Sequence, residues 1–597
     1  MKNKNVMIGM TAAAMAALTL SGMPVMAQDA EGAVDIQILA TSDLHGKFDP
    51  YDYAVNEEST SGSMAQIQSA VKELRTDNTI LLDVGDTIQG NSADLFLEDE
   101  VHPMAIGMNL MNYDVWVPGN HEFNYGVDVL KKIMGEQKAA VLCGNVYNAD
   151  GSSLSDGYTI IEKDGVKVAV IGMVTPNITR WDAANLAEYN VTDPVEETKK
   201  IIDEVKDDVD VIVAAEHMGE SNEYEVADSG VEDLANACPE IDVIVAAHEH
   251  KLVEGTEVNG VLIVENQDAG KTLAQVNLTV EKDENGEYEV TNKTSASIAA
   301  ADYEADEEFT AALADADARA KEDANTVIGT LNNGPLAPEN EIEGIAQAKL
   351  QETALIDLIN EVQMYYTDAD VSASALFVDS ANLQSGDIRK CDLALIYKYA
   401  NTLYKVQMTG KQLKQYMEWS ASYYNTYKDG DLTISFNPDI AGFNYDMFSG
   451  INYEVNIANE AGSRIENVTR ADGSELKDDD VITLAVNNYR ANSQLLSYGE
   501  IYKEGEDLPV LLEMDVKGEI GGVRELIGDY IANVKGGTLD APELAGNWRV
   551  TGNDWDADLH TQVAELINTG KIALPASESG RNTNVKSITV DDVKSAQ

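Results

Sequence analysis

Cysteine is scarce in this sequence of 597 residues. Only Cys143, Cys238 and Cys391 occur, an odd number at wide spacing. Domains that depend on disulfides carry many closely spaced cysteines, so a disulfide framework is excluded here. A chain of this length exceeds what one hydrophobic core usually supports, and two or three domains are expected. Burial of apolar side chains is sufficient to hold such domains together.

Basic residues are also few. The 41 lysines and arginines face 104 aspartates and glutamates, which gives a formal net charge of −63. A surface of this charge repels long polyanions, so duplex nucleic acid is excluded as a partner. An anionic small molecule can bind only where something local reverses the sign of the charge.

Long apolar runs are missing after the N-terminus. The N-terminus carries Lys2 and Lys4, followed by an apolar run over 6–20. Pro24 and a cleavage-site pattern that ends with the small residue Ala27 come next. This order is typical of a signal peptide, and we expect residues 1–27 to be removed by cleavage. The alternative is a membrane anchor, but the run is short for a bilayer span. The mature chain is therefore expected to be secreted, periplasmic or in the cell envelope, without a membrane span.

An α/β pattern dominates the first half of the chain. Between Asp35 and Leu278, short runs rich in isoleucine and valine alternate with helix-like segments. This alternation is typical of stacked α/β units and predicts a first domain over residues 34–300. The predicted strands are DIQILA, TILLDV, DVWV, AAVLCGN, VKVAVIGMV, VDVIVAA, IDVIVAA, GVLIVEN and LAQVNLTV.

The second half of the chain has a different composition. Residues 301–328 include Phe309, Leu313 and Ala316 at helical spacing, which predicts an interdomain helix or linker. Residues 329–567 then predict a smaller α/β or α+β domain, where most of the 25 tyrosines lie. Residues 568–597 are expected to form a polar tail.

Histidine is rare, and its distribution is uneven. Five of the seven histidines follow predicted strands directly, in company with aspartate, asparagine or glutamate. The loops at the carboxyl ends of strands in an open α/β sheet converge on one crevice, so these side chains should meet. They are Asp43 and His45 in TSDLHG, Asp86 in DVGDTIQG, Asn120 and His121 in PGNHEFNYG, His217 in AAEHMG, and His248 and His250 in AAHEH.

This concentration of histidines favours a metal site. A single histidine after a strand is more often a hydrogen-bonded structural residue than a ligand, but five strand ends that together hold five of the seven histidines are hard to explain in that way. Imidazole, carboxylate and amide groups together suit Zn, Mn, Fe or Co. The candidates exceed what one ion holds, which points to two divalent ions bridged by one carboxylate. Such a pair activates water, polarises a phosphoryl group and makes the site locally cationic.

These motifs also carry a resemblance. DLHG, GDTIQG, GNHEFNYG, EHMG and HEH resemble the five-part signature of the calcineurin-like metallophosphoesterases. More narrowly, they resemble the exported bacterial 5′-nucleotidase and 2′,3′-cyclic-nucleotide 2′-phosphodiesterase/3′-nucleotidase family. The resemblance covers nearly the whole mature chain. It implies a metallophosphoesterase α/β sandwich domain joined by a helix to a smaller α/β (α+β) nucleotide-binding domain, with a small nucleotide as the substrate.

The resemblance further implies roles for single residues. His121 is expected to face the phosphate, where it steadies charge or assists the leaving oxygen, and Glu122 to support a neighbour by hydrogen bonding. One metal is expected to bind Asp43, His45, Asp86 and His250, and the other to bind Asp86 as the bridge, Asn120, His217 and His248.

Two positions depart from the family pattern. Ala247 stands where the last motif usually has glycine, which adds bulk beside the metals. Asn124 stands where the 5′-nucleotidase branch typically has aspartate, so His121 gains an orienting amide without the pull of a charge. The string NHEFNYG instead resembles the cyclic phosphodiesterase branch.

The later domain offers candidates for substrate binding. The 5′-nucleotidase branch usually holds phosphate with arginines in a GGIR-like stretch, and this chain has VSASALFVDSANLQSGDIRK, where Arg389 is a possible substitute. The family stacks the base between two aromatic rings, a contact that contributes about 1–3 kcal/mol per base. Our first choice for the rings is Tyr445 and Tyr498. The alternates are Phe443 and Tyr489, with Asn488 at the pocket edge; the competing interpretation is that these aromatics belong to the core.

Together these patterns predict a metal-dependent hydrolase of nucleotides. The first expectation is a 2′,3′-cyclic-nucleotide 2′-phosphodiesterase with 3′-nucleotidase activity, and the alternative is a 5′-nucleotidase/UDP-sugar hydrolase. A hypothesis from another class is an inactive exported module that binds metal or nucleotide. A third is hydrolysis of a different ester by the same metal domain. The oligomeric state stays open.

Overall fold

The computed structural model describes residues 33–183, 185–220, 230–399, 401–518, 520–577 and 583–596. The predicted signal peptide lies outside the described residues. They form two compact units. The first consists of the chain up to His45 with Gly62–Gln89 and Asp99–Asp306, and the second of Gly46–Ser61, Gly90–Glu98 and the chain from Glu307 onward. The sequence pattern placed the segments 46–61 and 90–98 in the first domain, so that domain is interrupted twice.

Two six-stranded sheets form the first unit. One sheet has the order Tyr288–Ala299, Thr272–Lys282, Val34–Thr41 (β1), Thr79–Asp83 (β2), Val115–Trp116 (β3), Ala140–Val141. The other has the order Tyr158–Lys163, Val166–Val174, Val211–His217 (β4), Val243–Ala246 (β5), Val261–Glu265, Val253–Val258. The last four strands of the first sheet and the central four of the second are parallel. The carboxyl ends of β1, β2 and β3 therefore lie along one edge, as do those of β4 and β5.

The core of this unit contains side chains from both sheets. Ile36 and Leu82 of the first sheet share one cluster with Val170, Val213 and Val245 of the second. A further cluster packs the second sheet against the helices Pro194–Val205 and Val231–Ala237. Strands buried on both faces need apolar residues at nearly every position, which explains the continuous isoleucine and valine runs of the sequence.

Helices of the first unit begin where the sequence supplies capping groups. Ser63 accepts a hydrogen bond from the Gln66 N–H, and Asp193 caps a helix whose first residue is proline. His102 caps another helix by accepting from the Met104 N–H at 3.2 Å, which is a structural role. The helices are Met64–Leu74, Pro103–Met111, Val127–Glu136, Ile178–Trp181, Pro194–Val205 and Val231–Ala237, and a small sheet pairs Val146–Asn148 with Tyr189–Val191.

The second unit combines small sheets with helices. Its five-stranded sheet has the order Asp446–Ser449, Val371–Ala375, Val481–Asn487, Leu403–Thr409, Val510–Glu513. Two three-stranded sheets contain Gly386–Arg389, Val327–Leu331 and Thr538–Leu539, and Ile465–Arg470, Ile451–Asn456 and Trp548–Thr551; a hairpin pairs Tyr51–Asp52 with Glu57–Glu58. The helices are Glu307–Ala324, Ala354–Thr367, Leu393–Ile396, Gly410–Ala421, Asn488–Arg490, Val523–Asp529, Ala557–Asn568 and Val590–Ala596.

The predicted fold class, two α/β units with a helix between the two sequence regions, is confirmed. The C-terminal residues differ from the polar tail that the sequence predicts. Ile588 and Val593 are buried, and the Leu432 N–H donates to the Ile588 carbonyl at 2.8 Å. These two buried side chains and the backbone hydrogen bond pack this segment into the second unit. Among the described residues, no helix has the length and apolar character needed to cross a bilayer.

Candidate metal centre and its surroundings

The last residue of β4 and the loops that follow β1, β2, β3 and β5 bring all seven predicted ligands together. The backbone of the first two loops is joined directly, because the Asp43 N–H donates to the Gly85 carbonyl and the His45 N–H to the Asp86 carbonyl, each at 2.8 Å. The His248 N–H donates to the Asp43 carboxylate at 3.1 Å, which ties the loop after β5 to the loop after β1. Hydrogen bonds donated by backbone N–H groups therefore hold together the loops that were expected to converge.

The seven residues form two groups that share Asp86. Side-chain ligand atoms of Asp43, His45, Asp86 and His250 lie within 4.8 Å of one another, as do those of Asp86, His217 and His248. The Asn120 Oδ1 lies 3.0 Å from His217 Nε2 and 2.8 Å from His248 Nδ1, which places it in the second group. These are the two sets that the sequence motifs imply.

The backbone at these positions is unusual. Five of the seven residues have left-handed backbone angles, with φ between 46° and 80°: Asp43, His45, Asp86, His248 and His250. Residues other than glycine seldom adopt such angles, at a cost of about 1–3 kcal/mol each, and they concentrate at functional sites. The strain turns each side chain into the crevice.

Hydrogen bonding around His217 shows that the second group fits a cation. His217 Nδ1 donates to the Val84 carbonyl at 2.5 Å, so Nε2 presents its lone pair to the site. It faces two further acceptors, Asn120 Oδ1 at 3.0 Å and Asp86 Oδ2 at 3.3 Å. Three atoms that can accept hydrogen bonds converge on one point, which a proton or a metal cation between them would satisfy. Burial lowers the pKa of His217, but the Asp86 carboxylate outweighs burial and raises it to about 10, so a proton on Nε2 takes the cation's place when no metal is bound.

The first group shows the same pattern. His45 Nδ1 donates to Gln89 Oε1 at 3.0 Å, which leaves Nε2 as an acceptor facing His250 Nε2 at 3.1 Å. Burial lowers the pKa of His45, which favours the neutral imidazole that metals bind. Burial raises the pKa of Asp86, but the neighbouring histidines, His217 first, bring it well below its ordinary value. The donor set of each group therefore suits a divalent metal ion.

Glu122 fixes the geometry of the loops that carry the bridge. One of its carboxylate oxygens accepts from the Asp86 and Gly119 N–H groups at 2.8 and 2.6 Å, and the other from those of Thr87 and Ile88 at 2.7 and 3.1 Å. Burial raises the pKa of Glu122, as does the nearby Asp86, while the backbone N–H groups lower it. The supporting role predicted for Glu122 thus has a concrete form in four backbone hydrogen bonds.

His121 is a partly exposed polar residue beside the ligands. Its side chain is 36% exposed, and Nε2 lies 4.0 Å from Asp86 Oδ2. The other ring nitrogen, Nδ1, lies 2.7 Å from Asn124 Oδ1. The ring is therefore placed next to the cluster with its Nε2 edge available to a bound molecule.

The sequence motifs gave no indication of two residues that lie near the site. The Trp181 ring lies 5.3 Å from the His248 ring, and Asp182 accepts from the Asn124 side chain. Both follow the strand Val166–Val174, which ends on the same side of its sheet as β4. Trp181 and Asp182 lie in and just after the helix that follows this strand, so the rule that selects residues directly after strand ends does not reach them. Gln89, within the motif GDTIQG, was likewise missed.

In the second unit, Tyr445 is a core residue. Its ring is 2% exposed, stacks on Tyr423 at 5.5 Å, and its hydroxyl is 2.7 Å from that of Tyr424. Tyr445 therefore has no free face for a base, which corrects the first choice made from the sequence. Tyr498 is 52% exposed.

The alternates Phe443 and Tyr489 are better placed as a pair. Their ring centroids are 6.3 Å apart, and Tyr489 is 52% exposed. Arg490, buried against Asp446 at 2.7 Å, donates to the Phe443 carbonyl at 2.8 Å and so holds both ring-bearing segments. Phe443 also lines a cavity of about 200 Å³ with Lys349, Asp379, Tyr423, Phe436, Asn437 and other residues.

The two remaining candidates differ in what their side chains contact. Asn488 has a buried Oδ1 without a hydrogen-bond partner among the described residues. Arg389 directs its guanidinium to the Asp392 carboxylate at 3.0 Å and to Asn325 Oδ1 at 3.1 Å. Its donors are thus engaged by Asp392 and Asn325, which weakens the idea that Arg389 replaces the missing arginine pattern.

Comparisons with known proteins agree with this architecture. The chain is 28% identical over 613 residues to a trifunctional nucleotide phosphoesterase of Bacillus subtilis, covering 89% of this chain and 40% of that longer protein. It is 27% identical over 592 residues to a 2′,3′-cyclic-nucleotide 2′-phosphodiesterase/3′-nucleotidase of Yersinia enterocolitica, covering 87% and 88%. The solved structure of the NAD nucleotidase of Haemophilus influenzae has a TM-score of 0.56 at 18% identity, covers 87% of this chain and 100% of its own, and shows the fold alone.

Family models cover both units. Residues 36–252 match the calcineurin-like phosphoesterase model, which includes every predicted metal ligand. Residues 296–495 match the model of the 5′-nucleotidase C-terminal domain, which includes Phe443 and Tyr489. The chain therefore belongs to the calcineurin-like metallophosphoesterases that carry a 5′-nucleotidase C-terminal domain.

Proposed function

We propose that this chain hydrolyses nucleotides as a metal-dependent phosphoesterase, with 2′,3′-cyclic nucleotides and 3′-nucleotides as its substrates. The observation that carries the choice within the family is the contact of His121 with the amide of Asn124 at 2.7 Å. An amide at this position orients the ring and adds no negative charge. The relative from Yersinia enterocolitica, named for the cyclic and 3′ activities, supports the same choice.

Two divalent ions would be held by the two groups that share Asp86. One ion would bind Asp43, His45, Asp86 and His250, and the other Asp86, Asn120, His217 and His248. When bound, the ions supply activation of water and polarisation of the phosphoryl group. They also reverse the local sign of a strongly acidic protein, which permits an anionic substrate to approach.

His121 is proposed to act on the phosphate itself. Its exposed Nε2 edge lies beside Asp86 without belonging to either ligand group. A ring in this position can donate a hydrogen bond to a phosphoryl oxygen or a proton to the leaving oxygen, contributions of about 10²–10⁴-fold in rate. Asn124 keeps the ring from turning away.

Phe443 and Tyr489 are proposed to hold the base. The two rings meet edge to face at 79°, so a base would stack on the exposed Tyr489 ring with Phe443 at its edge. Stacking of this kind tolerates every base. The cavity beside Phe443 provides polar groups at Lys349 and Asp379 for the edge of the base. Asn488 is proposed as a further polar contact, because its Oδ1 lacks a partner among the described residues.

A 5′-nucleotidase is the second candidate. It is favoured by the match of residues 296–495 to the 5′-nucleotidase C-terminal domain. Against it stand the amide at Asn124 and the engagement of Arg389 with Asp392.

Comparing turnover of 2′,3′-cyclic AMP, 3′-AMP and 5′-AMP tests the proposal. The protein is loaded with Mn²⁺, Zn²⁺ or Co²⁺ in parallel, because the ligands accept all three. We expect a higher kcat/KM for the cyclic and 3′ substrates, and a strong preference for 5′-AMP would establish the alternative. The Asp86→Ala variant, which lacks the bridge, serves as the control for contaminating activity. Hydrolysis of neither nucleotides nor bis-p-nitrophenyl phosphate would leave a binding module as the function.

Export is part of the proposal. The basic, apolar and small-residue order of residues 1–27 supports a cleaved signal peptide. N-terminal sequencing of the protein recovered from the medium or envelope should begin at Gln28, and a chain that retains Met1 would contradict cleavage.

A further inference from the structure

Asp182 lies behind the His121–Asn124 contact. It follows the short helix Ile178–Trp181 and is 8% exposed. Its two carboxylate oxygens accept from the Asn124 Nδ2 at 3.2 and 3.1 Å. Asn124 in turn presents Oδ1 to His121 Nδ1 at 2.7 Å. The three side chains form a line from a buried carboxylate to the exposed imidazole.

The donors and acceptors in this line have only one consistent arrangement. An ionised carboxylate can only accept, so the NH₂ side of the Asn124 amide must face Asp182. The carbonyl side then faces His121, and an amide oxygen also only accepts. Nδ1 of His121 must therefore carry a hydrogen. Without the carboxylate, nothing in this line distinguishes the two orientations of the amide, and the ring could present either nitrogen.

We propose that Asp182 is a positioning residue for the hydrolysis proposed above: through Asn124 it fixes the ring orientation of His121 and places a hydrogen on Nδ1. Nε2 is then always the nitrogen on the substrate side. Asp182 does this without touching the ring, so its charge stays apart from the imidazole. The line of three thus achieves the orientation that a directly paired carboxylate would give, with an amide as the spacer.

A simpler interpretation is that Asp182 only holds the loop around residue 124. The loop backbone, however, has its own anchor, since the Asn185 side chain donates to the Phe123 and Asn124 carbonyls at 3.0 and 3.1 Å. Asp182 accepts from Asn185 only at 3.4 Å. The backbone position and the amide orientation are therefore controlled by different residues and can be tested separately.

Kinetics of the full-length metal-loaded protein provide the first test. Asp182→Asn should lower kcat for 2′,3′-cyclic AMP by about 10-fold or more, with KM and metal content unchanged. This loss is part of the rate enhancement of about 10²–10⁴-fold that a positioned acid or base contributes. In a His121→Ala background the same change should lower kcat by less than about 2-fold, because Asp182 acts through the His121 ring. The exposed Asp128→Asn variant controls for loss of one negative charge nearby. An equal loss in both backgrounds would assign Asp182 a merely structural role.

A rescue experiment tests the donor order directly. Combining Asp182→Asn with Asn124→Asp moves the carboxylate next to the imidazole, so an acceptor again faces Nδ1 and the new amide can donate to it. This double variant should recover most of the activity lost in Asp182→Asn. If the activity of the double variant is instead lower than that of Asp182→Asn, the order of hydrogen-bond donors and acceptors is not what matters, and the proposal is overturned.

Nitrogen NMR separates this inference from the proposed function. In zinc-loaded protein labelled with ¹⁵N-histidine, at about pH 8.5 where an ordinary imidazole is neutral, the signal missing from His121→Ala identifies the ring. We expect the Nδ1–H tautomer in the wild type and a shift toward Nε2–H in Asp182→Asn. An Nε2–H tautomer in the wild type would refute the role of Asp182 even if nucleotides are hydrolysed. The Nδ1–H tautomer without hydrolysis would uphold the role and reject the function.

Discussion

Replacing Glu122 with glutamine would remove one carboxylate oxygen from a site where four backbone N–H groups converge. Glutamine keeps one acceptor oxygen and puts an NH₂ group where the other oxygen stood. Either Asp86 and Gly119 or Thr87 and Ile88 would then present their N–H groups to a donor. Both pairs lie on loops that carry the candidate metal ligands, so we expect effects on stability and on metal binding.

The size of the stability effect follows from the bonds lost. Two hydrogen bonds to a charged acceptor contribute about 1.5–3 kcal/mol each, or about 3–6 kcal/mol together. Burial raises the pKa of Glu122, so the neutral amide avoids part of the cost of a buried charge and the lower end applies. A loss of about 3 kcal/mol lowers the melting temperature of a unit of this size by roughly 6–12 °C.

Metal binding should weaken at the same time. Glu122 belongs to neither ligand group, but it holds the N–H of Asp86, the residue common to both groups. Loss of such an outer partner typically costs about 10–100-fold in metal affinity. Calorimetric titration with Zn²⁺ and thermal unfolding with and without the ion measure the two effects. The exposed Glu257→Gln variant is the matched control and should behave as the wild type.

Two results would refute this reasoning. A melting temperature within about 2 °C of the wild type would mean that the four contacts contribute little. Unchanged zinc affinity in a destabilised variant would mean that the loops keep their geometry without Glu122, and that its role is confined to folding.

Three further predictions concern other parts of the molecule. A Cβ on Gly119 would lie 2.6 Å from the His217 ring, so Gly119→Ala should reduce bound metal measured by mass spectrometry, whereas full occupancy would contradict the close approach. Burial raises the pKa of Asp83 to about 7, so this carboxyl keeps its proton in the folded protein above about pH 4, and the stability that it contributes to the fold is lost as the pH rises to 7. The melting temperature of Asp83→Asn minus that of the wild type should therefore increase between pH 5 and 8. Tyr489→Ala should raise KM for nucleotides with little effect on bis-p-nitrophenyl phosphate, while Tyr445→Ala should mainly lower stability; a rise in KM with Tyr445→Ala alone would restore that ring as the base contact.

The convergence of the candidate metal ligands was predictable because their positions follow from chain direction. Parallel strands end at one edge, and a polar residue just after each apolar run must lie there. Asp43, Asp86 and His217 needed no further information than this. The same logic explains why Asp182 was missed, since it follows the helix Ile178–Trp181 and does not stand directly after a strand.

Tertiary structure alone decided between neighbouring aromatic rings. Phe443 and Tyr445 are two residues apart in one segment, and their sequence surroundings are equally aromatic. Tyr423, more than twenty residues earlier, covers the Tyr445 ring, whereas Phe443 faces a cavity and Tyr489. Burial of this kind depends on contacts between distant parts of the chain, which no local pattern encodes.

The hydrogen-bond arrangement at His121 was likewise determined in part by the sequence and in part only by the tertiary structure. The string NHEFNYG by itself determined that a histidine and an amide lie close together. It could not determine which face of the Asn124 amide meets the ring, because both faces are compatible with the sequence. Only the approach of the Asp182 carboxylate, which follows the helix Ile178–Trp181, fixes that choice, since an ionised carboxylate accepts hydrogen bonds and cannot donate them.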